Sequence, residues 1–501
     1  MADLLNLIND IDGLLKGKQP EKALGILHYI QEIIHPEHSL QVPVLIKLAT
    51  VYKEIGLMGM ATKAVKKVVD IAEKSKQYKV AGDAYVSLAG ALLYTEGATV
   101  DGYSAITRRI DRYLARSIPK HSFSDYDFTV DRPLKVAVLS PDFCAHSLSS
   151  LVLRPLMSFT ANCNHELHIM HLRKQEDQHT EQYRENCTSF TNVHGKTDEE
   201  IIALIREKKI DVLIDISGYT AETRLSVFMA RPAPVQIGWI SGMMTPTGLS
   251  CLPYFLTDKY MLSPKHTHDL GLPITMNSAL TYCALSADNE ILPRGQDPLV
   301  FCSFNNPCKV NNTVLKAWAE ILKQVPNSEL HVRTSFAMDG ARIKEILGLL
   351  GVDPKRVIDV GTQVNNSFVK EYYCTKADIF LDSWPCSGCL TTVEALWNGV
   401  PVVSRYDELY CSRQSYSILS NIGLPELAWD SDAGFIKAAV ALAQDRSRLW
   451  ELRHSLRDRV KNSVLGDYGR ASFELTSACT MAWNHYCTTR AKSLAQLTFT
   501  E

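Results

Sequence analysis

The sequence predicts an α/β protein in which two doubly wound halves follow an all-helical segment. Three observations predict this class: apolar residues recur at helical spacing over 1–117, a polar and proline-bearing stretch at 118–132 interrupts that pattern, and short apolar runs then alternate with amphipathic segments. Such alternation is typical of parallel sheets covered by helices on both faces. We therefore predict a helical domain at 1–117, a linker at 118–132, one α/β half at 133–290 and a second, with closing C-terminal helices, at 291–501.

Composition narrows the class of protein. The chain has 501 residues, 46% hydrophobic and 22% charged, which is enough for two or three cores. A formal net charge of -2 argues against binding nucleic acid by broad phosphate neutralisation. The amino terminus is acidic and amphipathic, and no apolar run approaches the roughly 20 residues of a membrane span, so we expect a cytoplasmic protein. Thirteen cysteines without a regular framework predict reduced thiols.

The helical domain shows a weak internal repeat. Helical spacing predicts amphipathic helices over 4–15 and 24–34. The segments 45–56 and 61–74 place small and aromatic residues as tetratricopeptide repeats do, and 84–97 resembles the next first helix. Stacked hairpins of this kind often form a concave surface that binds a peptide. A plain helical lid without a partner is the alternative.

Three loops of the first half follow predicted strands. The strand at 135–139 leads into a loop with Asp142 and His146, and the strand at 211–216 ends in Gly218, Tyr219 and Thr220. The loop at 242–248, with Gly242 and Thr245, follows a strand at 235–239. Further elements are predicted as a strand at 167–172 and helices at 151–159, 199–208 and 223–230. The carboxyl ends of parallel strands share one edge, where open α/β sheets bind ligands.

The second half begins with a strand at 299–304, and Asn305, Asn306 and Lys309 follow in its loop. A helix at 313–324 and strands at 329–333 and 356–360 come next. A lysine in such a loop can neutralise a phosphate. An exposed, solvated lysine is the alternative.

The stretch 381–404 predicts a strand, a small-residue turn, a helix and a strand. The turn is Cys386-Ser387-Gly388-Cys389, and we expect Thr391 and Thr392 to cap the helix, with Glu394 in its first turn. Backbone N–H groups and the helix dipole would then favour a phosphate at this edge. An ordinary crossover without a ligand is the alternative. The turn's CxxC has no second CxxC or ligand histidine with it, so we predict no metal site.

Several motifs together resemble, in the right order, the O-linked N-acetylglucosamine transferase family, including its bacterial and SPINDLY-type members. These are SPDFCAHS, DISGYT, RPAPVQIGW, SFNNPCKVNNTVLKAWAEILKQVPNSEL and DSWPCSGCLTTVEALWNGVPVV. The resemblance covers about Leu134 to Leu442. It implies a GT-B glycosyltransferase fold, a UDP-sugar donor, and inversion at the anomeric carbon without a metal or other cofactor. The implied acceptor is a serine or threonine on a protein, or an asparagine as in the related bacterial branch of protein N-glycosyltransferases.

The resemblance also implies roles for individual residues. Lys309 matches the lysine that meets the donor diphosphate, and His146 matches a cleft histidine with an acceptor or general-base role. The implied donor side comprises Asn305, Asn306, Lys309, Lys370, Gly388, Thr391, Thr392, Glu394, Ser412 and Arg413. The implied acceptor and sugar side comprises Asp142, Gly218, Tyr219, Thr220, Gly242 and Thr245.

The chain departs from the family pattern at three places. Cys389 and Leu390 replace small or hydroxyl residues in the turn, Lys370 replaces a histidine that packs on the donor base, and Ser241 is inserted before the loop at 242–248. The first hypothesis is a cytosolic UDP-sugar transferase, with N-acetylglucosamine favoured over glucose or another hexose. The second is a weakened or inactive transferase-like protein that acts as a binding partner or chaperone of an active glycosyltransferase. A UDP-sugar epimerase, the third, would not need helical repeats. The expected partners are a UDP-sugar and a protein or peptide acceptor engaged through the helical domain; oligomer formation stays open.

Overall fold

The computed structural model describes residues 2–498 except 18, 116–117, 120, 147, 162, 221, 241–242, 285–287, 295–297, 334–339 and 362–365. The amino-terminal region forms helices α1 (Ala2–Asn9), α2 (Ile11–Lys16), α3 (Pro20–Ile33), α4 (Gln41–Glu54), α5 (Met58–Lys74), α6 (Tyr78–Leu92) and α7 (Val100–Leu114). Helices α4, α5 and α6 pack against one another in sequence order, which agrees with the predicted stacking of helical hairpins.

Two features of this region differ from the sequence prediction. The helix predicted over 4–15 is divided into α1 and α2 at Asp10, where Asn9 and Asp10 are poor helix formers. Helix α7 was not predicted, because its buried stripe of Tyr103, Thr107 and Ile110 includes a polar residue that masks the apolar period.

The first α/β half contains a parallel sheet of seven strands, ordered β3-β2-β1-β4-β5-β6-β7. Its elements are β1 (Lys135–Ser140), α8 (Ser149–Met157), β2 (Glu166–His171), α9 (Gln178–Glu185), β3 (Ser189–Asn192), α10 (Asp198–Glu207), β4 (Val212–Asp215), α11 (Leu225–Met229), β5 (Val235–Gly238), β6 (Tyr254–Asp258) and β7 (Leu272–Met276). The strand order reverses between β1 and β4, which creates a crevice at their carboxyl ends.

The second half contains a parallel sheet of six strands, ordered β10-β9-β8-β11-β12-β13. Its elements are β8 (Leu299–Ser303), α12 (Asn312–Gln324), β9 (Ser328–Val332), α13 (Gly340–Leu349), β10 (Val357–Asp359), α14 (Asn366–Thr375), β11 (Ile379–Leu381), α15 (Leu390–Trp397), β12 (Val402–Arg405), α16 (Gln414–Asn421), β13 (Ala428–Trp429), α17 (Asp432–Gln444) and α18 (Arg446–Lys461). Here the order reverses between β8 and β11. The last helix of the chain is α19 (Tyr468–Thr498).

The chain divides into two compact units. One contains Met1–Ile106 and Asp288–Val460, and the other contains Thr107–Ala287 and Lys461–Glu501. The helical region therefore groups with the second sheet, where the N–H of Thr313 donates to the Glu96 carboxylate at 2.9 Å.

The position of helix α19 differs from the sequence prediction, which places the closing helices in the second half. The structure groups α19 with the first sheet: the indole N–H of Trp483 donates to Thr129 O at 3.0 Å, and the Tyr254 hydroxyl lies 2.8 Å from Nδ1 of His485. Among the helices described, none has the length and apolar character that crossing a bilayer requires.

Candidate functional site

Asp382 organises the crevice of the second sheet. It follows β11 directly and is completely buried. Its Oδ1 accepts the N–H groups of Ser383 and Gly388, each at 2.8 Å, and the amide of Asn305, also at 2.8 Å. Its Oδ2 accepts the Ser404 hydroxyl at 2.6 Å. One carboxylate thus folds the turn after β11 and joins it to the loop after β8 and to β12.

Asn305 extends this network to helix α15. Its Oδ1 accepts the hydroxyl of Thr391 at 2.6 Å, and its amide nitrogen also donates to Ser383 Oγ at 3.0 Å. The neighbouring Asn306 is exposed, and its side-chain oxygen accepts the N–H of Cys308 at 3.2 Å. The structure therefore brings Asn305 and Thr391 of the predicted donor side together and leaves the Asn306 side chain at the surface.

Lys309 places a cation on the same turn. Its Nζ donates to the carbonyl oxygen of Ser387 at 2.7 Å. Burial lowers the pKa of Lys309, but the nearby Cys386 and Asp382 outweigh burial, so the pKa lies above the ordinary lysine value. A hydrogen bond from Cys411, followed by the Lys309 charge, lowers the pKa of the buried Cys386 thiol to about 7. Lys309 is therefore an ammonium at neutral pH.

Helix α15 begins differently from the prediction. Its first residue is Leu390 and its N-cap is Cys389, whose side chain makes no capping hydrogen bond. Thr391 and Thr392 therefore lie inside the first turn and do not cap it. The Thr392 hydroxyl is completely buried and hydrogen-bonded to Ser415 Oγ at 2.7 Å, so it stabilises the fold and is not free to meet a phosphate.

Gly388 lies in close contact with this first turn. A Cβ atom built on Gly388 would lie 2.2 Å from Thr392 Oγ1 and 2.8 Å from Thr391 Oγ1. These distances are far below van der Waals contact, so the turn requires a glycine for steric reasons.

Glu394 lies in α15 beyond its first turn, where the sequence prediction had placed it, and Lys370 of α14 lies close enough to lower its pKa. Burial raises the pKa of Glu394 to about 7, although Lys370 and Arg333 each lower it. Lys370 itself is only 9% exposed. The lysine that the resemblance aligns with a histidine is therefore a buried side chain near a carboxyl group.

Ser412 and Arg413 shape the segment that precedes α16. The Ser412 hydroxyl is buried and accepts the N–H of Asp407 at 2.9 Å. Arg413 donates to the carbonyl of Asp407 at 3.0 Å, and its guanidinium lies 5.2 Å from the ring centres of both Tyr406 and Tyr416. Both predicted donor residues thus make structural contacts within this unit.

The crevice of the first sheet has a similar construction. Ser140, at the end of β1, and Ser217, beyond β4, share a hydrogen bond of 3.0 Å between their hydroxyls. The buried carboxylate of Asp215 accepts the N–H of Ser217 at 3.0 Å and that of Gly218 at 3.0 Å. A buried aspartate at the end of a central strand therefore folds the loop in both sheets.

Two of the other predicted acceptor-side residues lie in this loop, and a third lies in the loop after β5. The Tyr219 hydroxyl donates to Thr247 O at 2.7 Å, and the Thr220 hydroxyl donates back to Ser217 O at 2.7 Å. Thr245 is buried and donates to its own loop. Gly242 lies outside the described residues.

His146 belongs to a charged cluster on the loop after β1. Its Nδ1 lies 3.4 Å from Asp142 Oδ1 and 3.3 Å from the backbone nitrogen of Leu148. The same Asp142 oxygen is 3.2 Å from Nη1 of Arg173, whose Nε pairs with Glu222. Burial lowers the pKa of His146, as does Arg173, while Asp142 raises it; the net pKa is below the ordinary histidine value. His146 is therefore neutral, and able to accept a proton, near pH 7.

The sequence interpretation missed Asp382, Asp215 and Arg173 as site residues. The two aspartates had a visible signal, because each comes at the end of a buried apolar strand, where a charged residue is uncommon. No local sequence pattern indicates Arg173 as a site residue. Only the pairing of β2 with β1 places it beside Asp142.

No group of three or more histidine, cysteine, aspartate or glutamate side chains suited to a metal ion occurs within the described ranges. All thirteen cysteines are free thiols.

The family model of glycosyl transferase family 41 matches residues 109–270 and 281–473, which is more than half of the chain. The chain belongs to glycosyl transferase family 41. The resemblance drawn from the sequence motifs is thereby confirmed.

Curated relatives agree with this assignment. A tomato protein named probable UDP-N-acetylglucosamine–peptide N-acetylglucosaminyltransferase SPINDLY is 30% identical over 422 residues, which cover 81% of this chain and 45% of the relative. The Arabidopsis thaliana SPINDLY protein is 30% identical over 397 residues, covering 77% and 43%. The Arabidopsis protein SEC is 25% identical over 372 residues, covering 71% and 37%. The chain thus spans less than half the length of these relatives.

A solved structure of a Thermobaculum terrenum O-GlcNAc transferase mutant superposes with a TM-score of 0.74 over 98% of this chain and 99% of the other, at 22% identity. This likeness shows the fold. The predicted fold class is confirmed: two Rossmann-like halves of the GT-B type, preceded in the sequence by a helical region.

Proposed function

We propose that this chain is an inverting glycosyltransferase that moves a sugar from a UDP-sugar to a protein side chain. N-acetylglucosamine is the favoured sugar and serine or threonine the favoured acceptor. The observation that carries the proposal is the Lys309 ammonium, hydrogen-bonded to Ser387 O on the turn that leads into α15. Membership of family 41 and the printed names of the SPINDLY and SEC relatives support the donor and acceptor classes.

The charge of the turn suits a nucleoside diphosphate leaving group. Departure of UDP develops negative charge on a phosphate oxygen, and a fixed ammonium, a hydroxyl and the N–H groups of a helix start stabilise such charge. An ammonium has three N–H donors, so Lys309 can bind phosphate while it holds Ser387. Thr391, in the first turn of α15, supplies the hydroxyl when its hydrogen turns from Asn305 Oδ1 to the phosphate.

We assign the acceptor chemistry to the first sheet's crevice. The neutral His146 is the base that takes the proton of the acceptor hydroxyl, with Asp142, Tyr219 and Thr220 in the same crevice. We further propose that the reaction needs no metal and takes place in the cytoplasm. The free thiols support a reducing compartment.

The test is to incubate the purified chain with a mixture of serine-, threonine- and asparagine-containing peptides and a panel of nucleotide sugars. UDP release and peptide mass are then measured. We expect UDP release from UDP-N-acetylglucosamine, one N-acetylhexosamine added to the peptide, and persistence of both in excess EDTA. Transfer from a GDP-sugar but not from any UDP-sugar would overturn the donor assignment, and strict dependence on magnesium or manganese would overturn the metal-free mechanism.

One observation favours the second candidate, an inactive transferase-like binding partner. The N-cap of α15 is Cys389, which makes no capping hydrogen bond, and burial raises the pKa of its thiol to about 12. The turn therefore has neither a hydroxyl nor a thiolate at this position. Tight UDP binding without release from any nucleotide sugar would support this candidate.

A further inference from the structure

The Nδ1 atom of His146 lies between two groups that favour opposite tautomers. Asp142 Oδ1 lies at ion-pair distance from Nδ1, 3.4 Å away, and its negative charge favours a hydrogen on Nδ1 when the carboxyl is ionised. The N–H of Leu148, at 3.3 Å, instead needs the Nδ1 lone pair. If Nδ1 carries the hydrogen, Nε2 has a lone pair and can act as a base. If Nδ1 accepts from Leu148, Nε2 carries the hydrogen and cannot, so the charge of Asp142 decides the outcome.

The surroundings of Asp142 oppose that charge. Asp142 is 6% exposed, and burial raises the pKa of its carboxyl; Glu222 raises it further, while His146 and Arg173 lower it. Arg173 is the permanent cation of this group, because a guanidinium does not lose its proton in proteins. Its Nη1 lies 3.2 Å from Asp142 Oδ1.

We propose that Arg173 is a positioning residue of the transfer reaction. It keeps Asp142 ionised, so that Asp142 holds the Nδ1–H tautomer of His146 and leaves Nε2 as the base. The proposal rests on the proposed function. In that reaction the acceptor oxygen forms a bond to the anomeric carbon, the bond from that carbon to UDP breaks with its electron pair leaving on UDP, and the hydroxyl proton moves to Nε2.

The other ionisable groups that face this cluster do not replace Arg173. Burial raises the pKa of the Cys144 thiol and lowers the pKa of His171, so both are neutral near pH 7. Asp177 uses its carboxylate on backbone N–H groups, including that of Ala145 at 2.6 Å. Glu222 is the partner of Arg173, and its charge alone would favour an additional proton on the Asp142–His146 pair.

The first experiment does not depend on activity. Diethyl pyrocarbonate reacts with the deprotonated imidazole, so peptide mass mapping of His146 carbethoxylation across pH gives the midpoint of its titration. Arg173→Gln removes a cation that disfavours an additional proton on the Asp142–His146 pair. Whether that proton lies on Asp142 or on Nδ1, Nε2 then keeps its hydrogen, so the midpoint should rise by about one pH unit. Asp142→Asn removes the anion that favours a proton on His146, so it should lower the midpoint of the His146 titration. Arg173→Lys should stay near wild type. The control is Arg184→Gln, an exposed arginine of the same unit, which should leave the midpoint unchanged. An unchanged midpoint in Arg173→Gln would overturn the proposal.

The second experiment measures transfer. In Arg173→Gln the acid limb of the kcat/KM profile should move to higher pH in step with the His146 midpoint. kcat at pH 7 should fall about two- to threefold, and at a pH well below both midpoints about tenfold, while UDP affinity by calorimetry stays within about twofold. A fall in kcat with an unmoved acid limb would show a merely structural role and refute the proposal. If wild type transfers no sugar while the midpoint shifts occur as expected, the proposed function fails and the control of His146 by Arg173 stands.

Discussion

Replacing Gly388 by alanine should destabilise the donor turn and weaken UDP binding together. The new Cβ would lie 2.2 Å from Thr392 Oγ1, 2.8 Å from Thr391 Oγ1 and 3.2 Å from Asp382 Oδ1, whereas Cβ atoms essentially never come within 3.0 Å of another atom. Thr392 cannot rotate away freely, because its hydroxyl is buried and bound to Ser415 at 2.7 Å. The first turn of α15 must therefore shift or lose that hydrogen bond.

The size of the effect follows from two costs. Overpacking a buried site costs about 1 to 3 kcal/mol. Loss of the bond between Thr392 and Ser415 adds about 0.5 to 1.5 kcal/mol. We therefore expect a loss of about 2 to 4 kcal/mol in the free energy of unfolding. Because Thr391 is displaced from Asn305 by the same atom, UDP affinity should fall about tenfold, which corresponds to about 1.4 kcal/mol.

Urea unfolding followed by tryptophan fluorescence, together with calorimetric titration of UDP, measures both effects. The double variant Gly388→Ala/Thr392→Ala removes the 2.2 Å contact, so it should be more stable than the sum of the two single changes by about 1 kcal/mol or more. The control is Gly25→Ala in α3, where an added Cβ meets nothing within 4 Å; it should raise stability by about 0.5 to 1 kcal/mol. Wild-type stability in Gly388→Ala, or no recovery in the double variant, would refute the steric argument.

Three further predictions test the charges and hydroxyls of the sites. Lys309→Met should keep the fold and lower turnover at saturating donor by about 10²-fold or more, because a charge-stabilising donor is lost; near wild-type turnover contradicts this. Glu394→Gln should raise the free energy of unfolding by about 3 kcal/mol at pH 8. Burial raises the Glu394 pKa to about 7, so the stability that its carboxyl contributes is fully present below about pH 4.5 and is lost as the pH rises through 7; a gain independent of pH in urea unfolding would disprove this. Thr391→Val should weaken UDP binding by about 0.5 to 1.5 kcal/mol, Thr392→Val should lower stability more than affinity, and His146→Ala should leave UDP affinity within about 0.5 kcal/mol while transfer collapses. Calorimetric titration of UDP into these variants measures the affinities. An equal loss of UDP affinity in the Thr391 and His146 variants would mean that the donor has been assigned to the wrong crevice.

Much of the fold was predictable because central strands of parallel sheets are buried on both faces and read as apolar runs. Strands β1, β4, β8 and β11 have this character, and most of the predicted site residues follow them in sequence. Elements with a polar or mixed composition were missed: β3 (SFTN), α9 (QHTEQYRE) and β7 (LPITM), which includes a proline and an exposed leucine. Their position at the sheet edge or surface removes the apolar signal.

The order of the motifs along the chain was sufficient to recognise the family, and it indicated Lys309 and His146 as site residues. What the side chains do there was decided by tertiary contacts. Thr392 could be taken for a phosphate ligand until the structure paired its hydroxyl with Ser415, 23 residues further along the chain. A hydroxyl's role depends on which partner it meets, and local sequence does not contain that partner.

Helix α19 shows the same limit at the level of whole elements. Its pattern of buried residues predicts an apolar face, but periodicity does not state which surface will cover that face. The structure shows that it packs in the unit of the first sheet, through Trp483 and His485, although it follows the second half in sequence. Sequence alone determined the alternation of strands and helices and the transferase family that the chain resembles. Tertiary structure decided which helix covers which sheet and which cation lies beside Asp142, because burial and charge act between residues that are distant along the chain.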